Sequence, residues 1–287
     1  MHTSAYRLCL LRASTIAALA LACTHVHAAG LAVPAADQAV VVTAMRDPVD
    51  KSYRSMIKGM DLFEQQHAMA PAAALRFRLL PRQRDTRMQG IAVEIVARTI
   101  TLEVSVAADR SFTLERDAVA LAENASVMPN RKAASLTWRA DIRTPGLPPD
   151  TRRLGDLRLE CAVGMESGLV SNTLPGLGFI SALVGGIMDF CKGVDAPYLF
   201  FAERPLFAVS MVAGARRETL SVDALYAGVA YGRIAQSDLA YCDCQVLLDR
   251  TYFLPLGDRS WPDDTLIEFA YMDDDPRAPG APENAPP

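Results

Sequence analysis

The feature that most constrains this chain is a change of hydrophobic period at Leu75. From there apolar residues recur at every second position. Leu75, Phe77 and Leu79 alternate with Arg76 and Arg78. Ile91, Val93 and Ile95 follow, and then Ile100, Leu102, Val104 and Val106. A period of two places one face of a strand in a core and the other in water. Asp109-Arg110 marks a turn into Phe112-Thr113-Leu114. Leu136-Thr137-Trp138 and the run Leu154 to Val163 extend the set. Short alternating strands separated by turns predict an antiparallel β-sandwich, transthyretin-like or Ig-like, over 71–165. Pro145, Pro148 and Pro149 stiffen the connection before its last strand.

Upstream the period is helical. Tyr53, Met56, Ile57, Met60 and Phe63 line one face, with Lys51, Arg54, Lys58, Asp61 and Gln65 elsewhere. Asp47-Pro48-Val49-Asp50 reads as an N-cap, a proline at the first helical position and a carboxylate at the favourable dipole end. The spacing predicts an amphipathic helix over about 48–68, within a lead-in of 29–70 in which Val40-Val41-Val42 forms a strand. A stripe of this kind packs on its own domain more often than on a partner.

Residues 1–28 read as a cleavable leader. Arg7 and Arg12 precede an uncharged run from Ala13 to Cys23, and Val26-His27-Ala28 places small residues before a cut at Ala29. The run is too short to span a bilayer, which takes roughly 20 residues. A lipid anchor at Cys23 is the rival reading, disfavoured by Ala20-Leu21-Ala22 before it. Cleavage predicts a periplasmic or secreted protein with one histidine, His67, and four cysteines: Cys161, Cys191, Cys242 and Cys244.

In an oxidising compartment four cysteines predict two disulfides. Parity places Cys161 inward with Leu157 and Leu159, and Cys242 and Cys244 on one face of a strand running to Asp249. Two strand residues lie roughly 6.5 Å apart, near the limit for a bridge. The expected pairing is therefore of Cys242 and Cys244 with Cys161 and Cys191, in either order. Redox chemistry usually takes C-x-x-C at a helix start, and zinc takes four ligands. Staples are the simpler reading.

Residues 166–192 form an apolar, Gly-rich connector without charge from 167 to 188. It is expected to be a buried helix or loop, with membrane contact through 174–188 as the alternative. A second β-rich unit spans 193–272: Tyr198 to Ala202, Leu206 to Val212, Thr219 to Val222, Cys242 to Asp249, Tyr252 to Leu256 and Leu266 to Met272. Ala213 to Arg217 reads as a hairpin connection. The acidic, Pro-rich stretch 273–287 is expected to be disordered.

The net charge of −4 is divided unevenly. Lys+Arg minus Asp+Glu is 19 − 16 = +3 over 29–160 and 8 − 17 = −9 over 161–287. This favours two units and argues against a nucleic-acid binder, which needs a dense basic stripe. The densest basic cluster is Arg131, Lys132, Arg139, Arg143, Arg152 and Arg153. It suits an anionic envelope polymer or, more simply, a solvated face.

Catalytic vocabulary is sparse. His67 has no paired nucleophile, and no G-x-S-x-G elbow, P-loop or dinucleotide motif is present. No cofactor and no metal are expected. One loop, Asp258-Arg259-Ser260-Trp261-Pro262-Asp263-Asp264, joins an aromatic to carboxylates. Trp261, Asp258, Asp263 and Asp264 suit a sugar site or calcium, although a polar turn anchored by its Trp is the commoner structure.

The runs NRKAASLTWRADIRTPGLPPDTRRLGDLRLEC (130–161) and CDCQVLLDRTYFLPLGDRSWPDDT (242–265) resemble an uncharacterised family of exported proteins from Gram-negative bacteria. That likeness implies no activity and transfers no site. Residues 75–114, ending in DRSFTL, resemble transthyretin-like or carboxypeptidase-regulatory-like sandwiches, which bears on fold alone. The leading expectation is a non-enzymatic, disulfide-stapled periplasmic or cell-envelope binding or scaffold protein, its partner an envelope protein or polymer. The alternatives are a carbohydrate-acting hydrolase using the 258–264 loop and a membrane-peripheral protein using 174–188.

Overall fold

The structure is a computed structural model and describes residues 50–132, 135–169, 190–193, 198–232 and 246–274. The leader, Cys23, Val40–Val42, Asp47, the 174–188 stretch, Cys242, Cys244 and the tail beyond 274 lie outside the described residues. The protein is mainly β, with thirteen described strands in four antiparallel sheets.

The first-half alternation builds two of these sheets. Strand β2 (Ala74–Pro81) lies between β5 (Ser111–Phe112) and β7 (Leu136–Arg143). Strands β3 (Val93–Val96) and β4 (Thr101–Val104) join β6 (Ser126–Pro129) and the two-residue β1 (Lys51–Ser52) in the order β1-β6-β3-β4. Phe77, Leu79 and Trp138 of one sheet meet Val93, Ile95 and Val127 of the other, closing a sandwich core. Tyr53, Met56 and Ile57 of helix α1 (Tyr53–Gln65) complete it. A short helix α2 (Ala118–Ala122), capped by Asp117, precedes β6. Neither α2 nor β6 is anticipated by the period.

Helix α1 begins later than the 47–50 signal implies. Ser52 is its cap, the hydroxyl accepting from Ser55 N at 3.2 Å. Lys51 and Ser52 are held in β1 by pairing with Val127 and Ser126. Sheet pairing therefore displaces the earlier start.

The larger correction concerns 154–163. This run is helix α3 (Leu154–Glu166) and not a strand, and eleven of its thirteen residues are buried. Leu154, Leu157 and Cys161 pack into a core with Tyr198, Leu254 and Trp261. Leu159 and Val163 pack with Ala140 and Ile142. Opposite faces are both covered, so no polar stripe marks the helical period, and Leu157-x-Leu159-x-Cys161 mimics a strand.

The second half contributes β9 (Phe200–Phe201), β10 (Leu206–Ala213), β11 (Arg216–Thr219), β12 (Thr251–Tyr252) and β13 (Leu266–Tyr271). Strands β10 and β11 form the anticipated hairpin, with Gly214 at φ 58° in its turn. Two expected strands differ: β11 ends at Thr219, with a 3-10 turn at Val222–Ala224, and a second 3-10 turn occupies Leu248–Arg250. Strand β8 (Thr151–Arg153), from the first half, pairs with β13 in a sheet ordered β11-β10-β13-β8. Strand pairing and α3 thus both span position 165, and the described residues fall in one compact unit.

The disulfide joins Cys161 to Cys191, with Cα atoms 6.0 Å apart. This corrects the expected pairing of each with Cys242 or Cys244. That expectation rested on placing Cys161 in a strand; in the helix its side chain faces the core that holds Cys191.

Candidate functional site

The β2–β7 pairing has two unlike faces. Phe77 opposes Ala140 and Leu79 opposes Trp138 on the core side. On the other side Arg78 opposes Arg139 and Arg76 opposes Asp141, with Leu80 and Arg143 on the same parity. A sheet face holding this much charge must satisfy it locally. Asp141 does so: its Oδ2 accepts from Arg78 Nε and Nη2 at 2.9 and 2.8 Å, and its Oδ1 accepts from Arg143 Nε at 2.8 Å. Burial opposes ionisation of Asp141, but Arg143, Arg152 and Arg78 together outweigh it and hold the carboxyl below its ordinary range.

The edge of β7 away from β2 is closed by side chains in place of a strand. Glu160 Oε2 accepts from Ile142 N at 3.2 Å, and Arg152 Nη2 donates to Ile142 O at 2.7 Å. The same Arg152 nitrogen donates to Glu160 Oε2 at 2.6 Å. Thr144 N donates to Asp156 Oδ2 at 2.8 Å. Burial pushes the Glu160 carboxyl up, Asp141 adds to this, and the Arg152 guanidinium offsets it only in part. Among the described residues the buried Arg152 Nε has no hydrogen-bond partner.

These groups wall a cavity of about 380 Å³. Its charged side carries Arg78, Arg139, Asp141, Arg143, Arg152 and Glu160. The lining continues with residues 199–203, Leu247, Arg250 and the Asp109-Arg110 turn. Arg139 Nη1 donates to Leu199 O at 3.4 Å, and its guanidinium lies 4.8 Å from the Phe201 ring centroid. Arg143 Nη1 lies 2.9 Å from Glu203 Oε1, and Arg250 Nη1 donates to Glu203 O at 2.6 Å. Asp109 accepts from Ser111 Oγ and N at 2.6 and 3.0 Å and faces Arg78 at 3.6 Å. Those contacts lower its pKa, the Ser111 hydroxyl most of all. Several guanidinium forks line one space beside an apolar wall, a chemistry that suits anionic oxygens. It offers no nucleophile paired with a base.

The 258–264 loop is built differently. Trp261 is 2% exposed, and the Arg216 guanidinium lies 3.6 Å from its ring centroid. The Ser260 hydroxyl contact lowers the Asp258 pKa most, and Ser260 N, donating to Asp258 Oδ1 at 2.9 Å, lowers it further. Asp263 Oδ1 pairs with Arg158 Nη1 at 2.5 Å, and Asp264 is exposed. Arg158 of α3 also donates to Leu256 O, Asp258 O and Trp261 O at 2.9, 2.8 and 3.0 Å. One arginine thus gathers the loop from below. This is an anchored turn, and its indole is not presented for stacking on a sugar.

His67 opens the turn after α1. Its Nε2 lies 3.1 Å from Ala73 O, and its ring sits 4.7 Å from Phe63. Of the basic cluster, Arg139, Arg143 and Arg152 meet at the cavity. Arg131 instead donates to Arg87 O and Gln89 O. Arg78, Glu160 and the 199–203 wall were not singled out by the sequence. The alternation of Arg76 and Arg78 opposite a charged β7 face was the available signal. Among the described residues no group of three or more His, Cys, Asp or Glu is placed to hold a metal ion, and no helix is long and apolar enough to cross a membrane. Comparison with known proteins finds no matching family model, curated protein or solved structure.

Proposed function

We propose that this chain is an exported, disulfide-stapled binding protein of the cell envelope, and that the arginine-lined cavity is its ligand seat. The observation that carries the reading is the pair Glu160-Cys161 on α3. Glu160 lines the cavity, and the next residue is tied to Cys191. The staple thereby fixes the helix that forms the cavity wall, and disulfides of this kind belong to oxidising compartments. Strands β2, β7, β8 and β9 supply much of the remaining wall, which suits a largely preformed small-molecule site. The leader pattern of 1–28 and the shortage of catalytic groups support export and binding over turnover. A partner in the envelope, protein or polymer, would receive or deliver the ligand.

The test is mass spectrometry of the protein recovered from the periplasmic fraction. Denatured, it should begin at Ala29 with Cys161 and Cys191 linked. Native, it should retain a small molecule, whatever its charge. An unprocessed chain in the cytoplasm, or a native mass equal to that of the bare polypeptide, would defeat the reading.

A further inference from the structure

Three connections meet at one end of the sandwich. Residues 82–92 lead from β2 to β3, residues 105–110 lead from β4 to β5, and residues 130–132 follow β6. Side chains weld the first to the last. Arg131 Nε and Nη2 donate to Arg87 O and Gln89 O at 3.0 and 2.7 Å. Thr86 Oγ1 donates to Ser135 O at 2.7 Å. Asn130 donates to Gly90 O at 3.2 Å and accepts from Ala92 N at 3.0 Å. A hollow of about 390 Å³ links 88–91 to the 105–110 connection, and Met88, Ile91 and Val106 line it together with Arg110.

The arginine that ties these loops is committed to carbonyl oxygens, but the cations around it are not committed within the chain. Arg84, Arg87, Arg110 and Lys132 are exposed, and among the described residues none of their side chains has an ion-pair or hydrogen-bond partner. Asp85 is the one carboxylate within 82–92 or 130–135. Asp109, beside Arg110, faces Arg78 and accepts from Ser111. A single exposed cation needs no explanation. Four on one welded end sum to a local positive field that attracts an anionic surface.

We infer that this end of the sandwich docks on the headgroup layer of an anionic bilayer. Arg84, Arg87, Arg110 and Lys132 meet lipid phosphates, and the hollow beside Met88 and Ile91 takes the apolar region just beneath them. The planar guanidinium suits phosphate oxygens approached two at a time. The apolar lining selects a lipid surface over a soluble polyanion, which would engage the cations alone. Attachment of this kind is peripheral and reversible. It goes beyond the ligand cavity and holds whether or not that cavity is filled.

The experiment is co-sedimentation of the oxidised mature protein with vesicles of equal parts phosphatidylglycerol and phosphatidylcholine, against vesicles of phosphatidylcholine alone. The expected result is partitioning at least about tenfold stronger onto the anionic vesicles. It should reverse in about 1 M sodium chloride, where the screening length falls to about 3 Å. Lys132→Gln should weaken it about fivefold. Arg84→Gln, Arg87→Gln and Lys132→Gln together should weaken it roughly a hundredfold, with an unchanged melting temperature. The docking is overturned by equal partitioning onto the two vesicles or by a triple variant that binds like the parent. It is also overturned if soluble dextran sulfate, matched to the lipid in anionic charge, binds as tightly as the vesicles. None of these outcomes alters the native mass that reports on the cavity, so either reading can fail alone.

Discussion

Asp141 shows how much a single side chain holds in place here. It joins Arg78 to Arg143 across the charged face of the β2–β7 pair. Asp141→Asn removes the buried carboxylate that Arg78 and Arg143 share, leaving each with only a more exposed partner, Asp109 or Glu203, and should cost about 3 kcal/mol in urea denaturation. Its pH signature follows from the direction of its shift. A carboxyl held below its unfolded value of about 3.9 adds stability that is present above that value and lost as pH falls through the folded one. Glu160 works in the opposite sense. Its folded value is raised, so its contribution is present below the unfolded value of about 4.3 and is lost as pH rises through the folded one. The stability of Glu160→Gln relative to the parent should therefore climb with pH across that interval, as read by denaturation at stepped pH. A flat difference would contradict the raised value. Trp261 belongs to the same scale. With its indole buried beneath Arg216, Trp261→Ala should cost about 3–5 kcal/mol in folding. An exposed sugar platform would lose affinity at unchanged stability.

At the scale of elements, period-two alternation found β2, β3, β4, β7, β10 and β13 because each sets an apolar face against a more polar one, in β7 with both faces buried. It failed at α3 for a definite reason. Leu157, Leu159 and Cys161 lie on different faces of a helix packed on both sides, while Asp156, Arg158 and Glu160 are buried polar residues bonded to Thr144, Asp263 and Arg152. Neither a polar stripe nor a side-chain N-cap was there to be read. The cavity was half legible. Arg139, Arg143 and Arg152 stood out as a basic cluster, but the wall from 199–203 comes from a distant stretch that no local pattern connects to them. The start of α3 is also closely packed. A Cβ at Gly155 would collide with Met69 O and crowd Asp263. Gly155→Ala should lower stability by about 1–3 kcal/mol despite its better helix propensity, by thermal denaturation.

For the whole molecule, the Cys161–Cys191 bridge closes a loop of 30 residues, worth about 3–4 kcal/mol in the loop-entropy model. The paired variant Cys161→Ser with Cys191→Ser should lose about that much, and the parent should match it when assayed in reductant. The placement of β13 bears on how such a chain is made. Strand β8 and helix α3 receive their partners from β13 and from the loop that Arg158 gathers, and Arg158 and Asp263 are 105 residues apart. As the polypeptide emerges from its N-terminus, the middle of the sequence must wait, unpaired, for a strand not yet synthesised. Contacts of such long range fold slowly and leave sticky surfaces open in the interval. A chain built this way cannot finish packing β8 and α3 until β13 has been made.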